Sequence, residues 1–240
     1  MNKSTFFTAV LLLFGMINLT AQNWNTGSIE GEGEVGKQEI SLSSFEGIEL
    51  GFSGDVVIAQ GNTQKVVVEG QQNIIDNIKR EVSGGKWKIH FIKNVKNAKP
   101  VTVYITVPFL DYVTVLGSGT IKSSGRFKGL KDLEMNISGS GDIKMDYDAI
   151  ETNIRISGSG DVEVVGSSKS LEVSISGSGD VVANNLETSR CRVQISGSGD
   201  ASVMVNGDLD AQVHGSGDVR YRGNASVTAK VNGSGEVSKF

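Results

Sequence analysis

Six acidic residues stand at one repeating place in this chain. Asp142, Asp161, Asp180, Asp200, Asp218 and Glu236 each follow a Gly-Ser-Gly triplet, at steps of 19, 19, 20, 18 and 18 residues. If each step is one coil of a stack, the carboxylates form a column with a spacing of about 4.8 Å, and like charges at that spacing repel unless they are screened, hydrogen-bonded or bridged by cations. Calcium is the natural bridge, because it takes carboxylate oxygens in flexible geometry. The phrase departs, however, from the calcium-binding nonapeptide pattern of parallel β-helices. An Asp directly after a glycine corner also commonly accepts nearby backbone N–H bonds. The column therefore has two readings, structural corner acids or weak calcium sites, and no other cofactor is expected.

Beside the acids runs a column of hydroxyls: Ser140, Ser159, Ser178, Ser198, Ser216 and Ser234, flanked by Ser138, Ser157, Ser176 and Ser196. Such an array could hold a glycan or another extended ligand. Equally, small residues could serve only to keep a tight corner. Catalytic chemistry is poorly supplied. There are only two histidines, His90 in a polar-out strand position and His214 at an outward repeat position, and they support neither a nucleophilic triad nor a zinc site. The acid column resembles the acids of polysaccharide-cleaving enzymes, but it lacks a basic partner, and Trp24 and Trp87 both lie outside the repeats, leaving no aromatic sugar platform there. No lysine follows the glycine turns at phosphate-loop spacing, and a net charge of −4 gives no footprint for nucleic acid. Cys191 is the single cysteine, so it forms no internal disulfide and reads as a small buried hydrophobe.

The segments around the triplets explain what positions these residues. Ahead of them stand strands of period two, such as Leu171-Glu-Val-Ser-Ile175 and Cys191-Arg-Val-Gln-Ile195, with one apolar and one polar face. Stacked, they give three apolar columns free of charge: Leu133 to Val227, Met135 to Ala229 and Ile137 to Val231. Beyond each triplet the alternation resumes with the acid outside and the next residue inside, as at Val162 and Val164. Gly-Ser-Gly is thus the corner between two parallel sheets. A second corner is expected at Gly125, Gly166, Asn185 and Gly223, and a short third side with Leu130, Ile150, Leu186 and Ala225 facing in. The expected fold is all-β: a right-handed parallel β-helix, or solenoid, with repeating Gly-Ser-Gly-Asp corners and an irregular β-rich N-terminal part.

Taken in order, residues 1–21 read as a signal peptide: Lys3, an apolar run from Phe6 to Leu19, and a small-residue cleavage site at Thr20-Ala21. The run is short for a membrane span, and no later stretch in the mature chain could cross as a helix. Residues 22–36 read as a mobile Gly/Glu-rich leader, 37–110 as the β-rich N-terminal part of a head domain, and 111–240 as regular coils. Asn73 to Val82 has helical spacing, with Ile74, Ile75, Ile78 and Val82 on one face. The last coil, Val227 to Phe240, carries no cap of its own. An end-to-end homodimer, the leader or an envelope partner is expected to meet it.

Phe45-Glu-Gly-Ile48, Val56-Val-Ile-Ala-Gln-Gly61, Val107-Pro-Phe-Leu110 and the repeated Gly-Ser-Gly-Asp resemble the "putative auto-transporter adhesin, head GIN domain" family, common in exported proteins of Bacteroidetes-type bacteria. The resemblance covers roughly residues 40–236. It implies a β-helical exported domain with an adhesive role and offers no catalytic residues. The expected function is an exported, non-enzymatic, adhesin-like binding or scaffolding module of the cell envelope, in the periplasm, outer-membrane-associated or extracellular. Its expected partner is a surface ligand, a glycan or an envelope protein. The alternative is a glycan-active or glycan-binding β-helix using a groove along the solenoid.

Overall fold

The computed structural model describes residues 27–240; the signal-peptide reading of residues 1–21 lies outside them. Five long bent strands, Thr120–Ile137, Asp142–Gly158, Val162–Gly177, Val181–Gly197 and Ala201–Gly215, run parallel, each beside its successor. Their register aligns like with like. Leu171 pairs with Cys191 and Cys191 with Leu209; Val173, Val193 and Ala211 follow suit; so do Ile175, Ile195 and Val213. Period-two alternation then carries every one of these residues to the same side, where all nine are buried. The molecule is a parallel β-solenoid with one continuous apolar core. A polar exception, Thr152, lies in the first column and shares a hydrogen bond of 3.0 Å with the Ser168 hydroxyl.

Away from the triplets the coils are less regular than the sequence period suggests. Ile150, expected inside, is 50% exposed. Ala149 takes the inward place between Leu130 and Ser168, because the register shifts between Phe127 and Leu130 and so changes the phase by one residue. Gly125, Gly166 and Gly223 turn the second corner with φ of +106°, +116° and +99°. Asn185 does not share that backbone. A shift between Glu163 and Val165 sets Leu186, not Asn185, beside Gly166.

The N-terminal part departs further from simple order. The strand Gly47–Leu50 lies between Lys86–Ile89 and Tyr112–Val115, parallel to both, and Asp55–Gln60 likewise lies between Thr102–Val107 and Thr120–Ile137. The chain therefore makes one coil, passes to its outer side to lay down a terminal layer, and returns past it to continue the stack. Lys65–Gln71 pairs antiparallel with Thr102–Val107 and with Val35–Glu39, closing that end. The helix is shorter than expected, Gln72–Asp76 in place of residues 73–82. Asn77 ends it by trading hydrogen bonds with Lys93 through its side-chain amide, at 2.8 and 3.0 Å, and Ile78 bridges to Phe91. Ile74, Ile75 and Ile78 are buried all the same.

The described part of the leader is not loose chain. Ile29–Glu30 pairs with Val95–Lys96, and Asn73 holds both the Glu30 carbonyl and the Glu32 N–H. Ile29 and the acids find partners that lie roughly 40 to 70 residues away in sequence, beyond the reach of a local period. At the opposite end, Ser226–Gly233 pairs with Ala201–Gly215 in the usual register, yet Ala229 is exposed and Val231 is 38% exposed.

This difference within single columns is testable. Val193→Asp places a carboxylate without a partner in the core, costs several kcal/mol and should abolish the cooperative melt. Val231→Asp and the outward Glu172→Gln should shift the melting temperature by only about 2 °C or less. Circular-dichroism melting curves of the three variants check both statements.

Candidate functional site

The corner forms a ridge along the solenoid. Two glycines make it, for different reasons. Gly177 has φ of +145°, and a Cβ there would collide with the Gly158 carbonyl oxygen of the preceding coil. Gly179 has no such φ, but a Cβ built on it would strike the Gly160 carbonyl oxygen. Between the two, the backbone N–H of Ser178 donates to Gly158 O at 2.9 Å, and the same bond recurs at Ser159, Ser198, Ser216 and Ser234. The rung is therefore held by main chain. The side chains of Ser140, Ser159, Ser178, Ser198, Ser216 and Ser234, and of Ser138, Ser157, Ser176 and Ser196, are exposed.

The acids have a structural task in the same corner. Asp161 N–H donates to Asp142 Oδ1 at 3.3 Å, Asp180 N–H to Asp161 Oδ1 at 2.9 Å, and Asp200 N–H to Asp180 Oδ1 at 2.7 Å. Asp218 and Glu236 continue the series at 2.8 and 2.9 Å. The five aspartates of the column thus each satisfy a backbone donor that the turn takes out of the ladder, and a charged acceptor makes the stronger bond. The irregular first copy fits this account. Thr120 stands in the acid's place there, and Asp142 N–H donates instead to Gly119 O at 3.0 Å. Arg220 lies 3.9 Å from Asp200 Oδ2 and 3.5 Å from Asp218 Oδ2, relieving repulsion at one end of the column. Among the described residues, no three acids, histidines or cysteines come together as a metal-ligand set.

The other singled-out residues do not join the ridge acids. His90 lies 3.2 Å from Glu49 in the terminal layer, and His214 is 3.2 Å from Asn232 on the last coils. Trp87 is fully buried and donates its indole N–H to Lys79 O at 3.0 Å. Cys191 is buried and its thiol is pushed up to about 12 by that burial.

One feature was not drawn from the sequence. Leu50 pairs with Val115 and Asp55 with Thr120, so Phe52 occupies the place of Gly117, the first glycine of the triplet. Leu50 also pairs with Ile89, which sets Phe91 in the same place one layer further out. The two rings stack with centroids 4.3 Å apart and planes at 26°. The signal was the corner phrase Phe52-Ser-Gly-Asp55, a Gly-Ser-Gly-Asp with its first glycine replaced.

Two outcomes are expected. Asp180→Ala should lower the melting temperature by about 2–4 °C, near the worth of one hydrogen bond in a chain of this size, whereas Asp180→Asn, which keeps an acceptor oxygen, should leave it nearly unchanged. If the column instead binds calcium, millimolar calcium would raise the wild-type melting temperature and the Asn variant would lose that rise. Cys191 should resist an aromatic disulfide reagent at pH 8 and react at once after denaturation, since a buried, protonated thiol is a poor nucleophile.

In fold the chain is similar to three solved structures. They are a putative adhesin from Bacteroides fragilis NCTC 9343 (22% identity, TM-score 0.81, covering 88% of this chain and 100% of that one), a putative lipid binding protein from Parabacteroides distasonis ATCC 8503 (24%, 0.75, 89% and 100%), and a putative adhesin from the same strain (24%, 0.70, 89% and 100%). No curated protein matches the chain. The model of the "putative auto-transporter adhesin, head GIN domain" family matches residues 44–225, which run from the first coil to the turn before the last one. The coils and the ridge as far as Asp218 fall within the matched region, and the chain belongs to that family.

Proposed function

We propose that this chain is an exported, non-enzymatic, adhesin-like module that presents the serine-lined ridge as a rigid binding surface. The observation that carries the reading is the exposure of two hydroxyl columns on a main-chain-bonded ridge from Ser138 to Ser234. A ligand meeting that ridge encounters groups already fixed in place, so little ordering cost falls on the protein. Family membership supports adhesion. The apolar N-terminal run after Lys3 supports export. A glycan is the ligand class best served by repeated hydroxyls. The runner-up, a glycan-active β-helix, has less in its favour, since the ridge aspartates are engaged with backbone N–H groups.

The test is a glycan array and a mucin-coated surface probed with wild type and with the triple variant Ser159→Ala, Ser178→Ala, Ser198→Ala, which removes hydroxyls without adding charge to the acid column. These positions are exposed, so the variant should melt like wild type while its binding falls about tenfold or more. Equal binding by both proteins would remove the ridge from the proposal. Release of new reducing ends from any polysaccharide would overturn the non-enzymatic reading, and retention in the cytoplasmic fraction would overturn export.

A further inference from the structure

The Phe52–Phe91 stack does more than end the glycine column. It helps to line an open hollow of about 510 Å³ at the foot of the ridge, together with Val95, Ala98, Pro100 and Val101. That volume is in the range of small-molecule sites, which run from about 300 to 1,000 Å³ with mostly apolar walls and a few placed polar groups. Only Ser53 and Lys99 supply polar side chains. We propose that this hollow binds a monomeric amphiphilic carboxylate of the fatty-acid type, with its chain against Phe52 and Phe91 and its head group at Lys99.

Three observations carry the proposal. The aromatic pair breaks the rule of its own column, since every later coil has glycine at this place. Lys99 is available to an anion. Its ammonium lies 3.3 Å from Glu34 Oε2, but the Glu34 side chain is 95% exposed, and ion pairs of that kind contribute little and exchange readily. The far wall is preformed: the buried Gln71 accepts the Lys99 N–H at 2.8 Å and donates to Gly33 O at 3.1 Å, while Ile29–Glu30 pairs with Val95–Lys96 behind it. A sugar would need several hydrogen-bonding groups, and a hollow with two polar side chains suits an apolar tail with a single negative charge.

Isothermal titration with dodecanoate, kept below its micelle concentration, tests the proposal on the folded chain. Dodecanoate should bind, and dodecyltrimethylammonium, with the same tail and the opposite charge, should bind about tenfold more weakly. Phe52→Ser should weaken dodecanoate binding about tenfold and Lys99→Gln several-fold, while Phe109→Ser, at a separate exposed aromatic, and the triple ridge-serine variant should match wild type. Should Phe52→Ser fail to fold, Lys99→Gln and the charge-reversed tail decide the question. No binding of monomeric dodecanoate, equal binding of the two tails, or flotation with phosphatidylcholine vesicles without binding of monomer would each overturn it. The ridge variant separates this site from adhesion, because loss of surface binding with dodecanoate binding intact leaves the proposal standing.

Discussion

The close approach of one backbone to the next at the glycine corner governs most of this structure. Successive coils cannot stack unless each rung admits the carbonyl oxygen of the rung before it, and any Cβ at Gly177 or Gly179 would occupy that space. Once the corner is fixed, the strands on either side are held in register, and register decides which residues are inside. The apolar columns are consequences of the corner as much as causes of the fold. So is the acid ladder, which exists because the turn frees one backbone donor per rung and a carboxylate from the neighbouring coil reaches it.

These constraints leave a surface that repeats the same few groups along its length. Main chain and acids supply the cohesion of the ridge, so its serines are free of structural duty and face outward. Along the ridge, variation is confined to the ends. At one end the glycine column gives way to Phe52 and Phe91, and the acidic leader docks on the lysine-bearing loop 93–99. The family relationship agrees with an adhesin-like module.

Much of this was legible in the sequence because the repeat is strict where the physics is strict. Triplets, acids and the columns through Val173, Val193 and Ile175 could be placed residue by residue. The same reading failed where compensation is local. A bulge between Phe127 and Leu130 turned Ile150 outward and Ala149 inward, and no periodicity announces such a shift. Helical spacing at residues 73–82 was genuine, yet Asn77 and Ile78 gained more from pairing with the 91–93 segment than from another turn of helix. The leader looked unstructured because its partners are remote in sequence. The aromatic pair was hidden by register: only alignment of Leu50 with both Val115 and Ile89 brings Phe52 over Phe91.

The position of the first coil bears on how the chain becomes structured. Residues 47–60 have a layer on each side, and both layers come later in the chain, at 86–107 and 112–123. A growing or emerging chain that has presented only its first coil has nothing for that coil to pair with, and two such edges are open at once. The solenoid therefore cannot lengthen steadily from its N-terminus. In N-to-C order, the first unit that can close has three layers, spans roughly residues 45–123 and is made of contacts distant in sequence, a slow kind of event. After that, each new coil needs only the one before it.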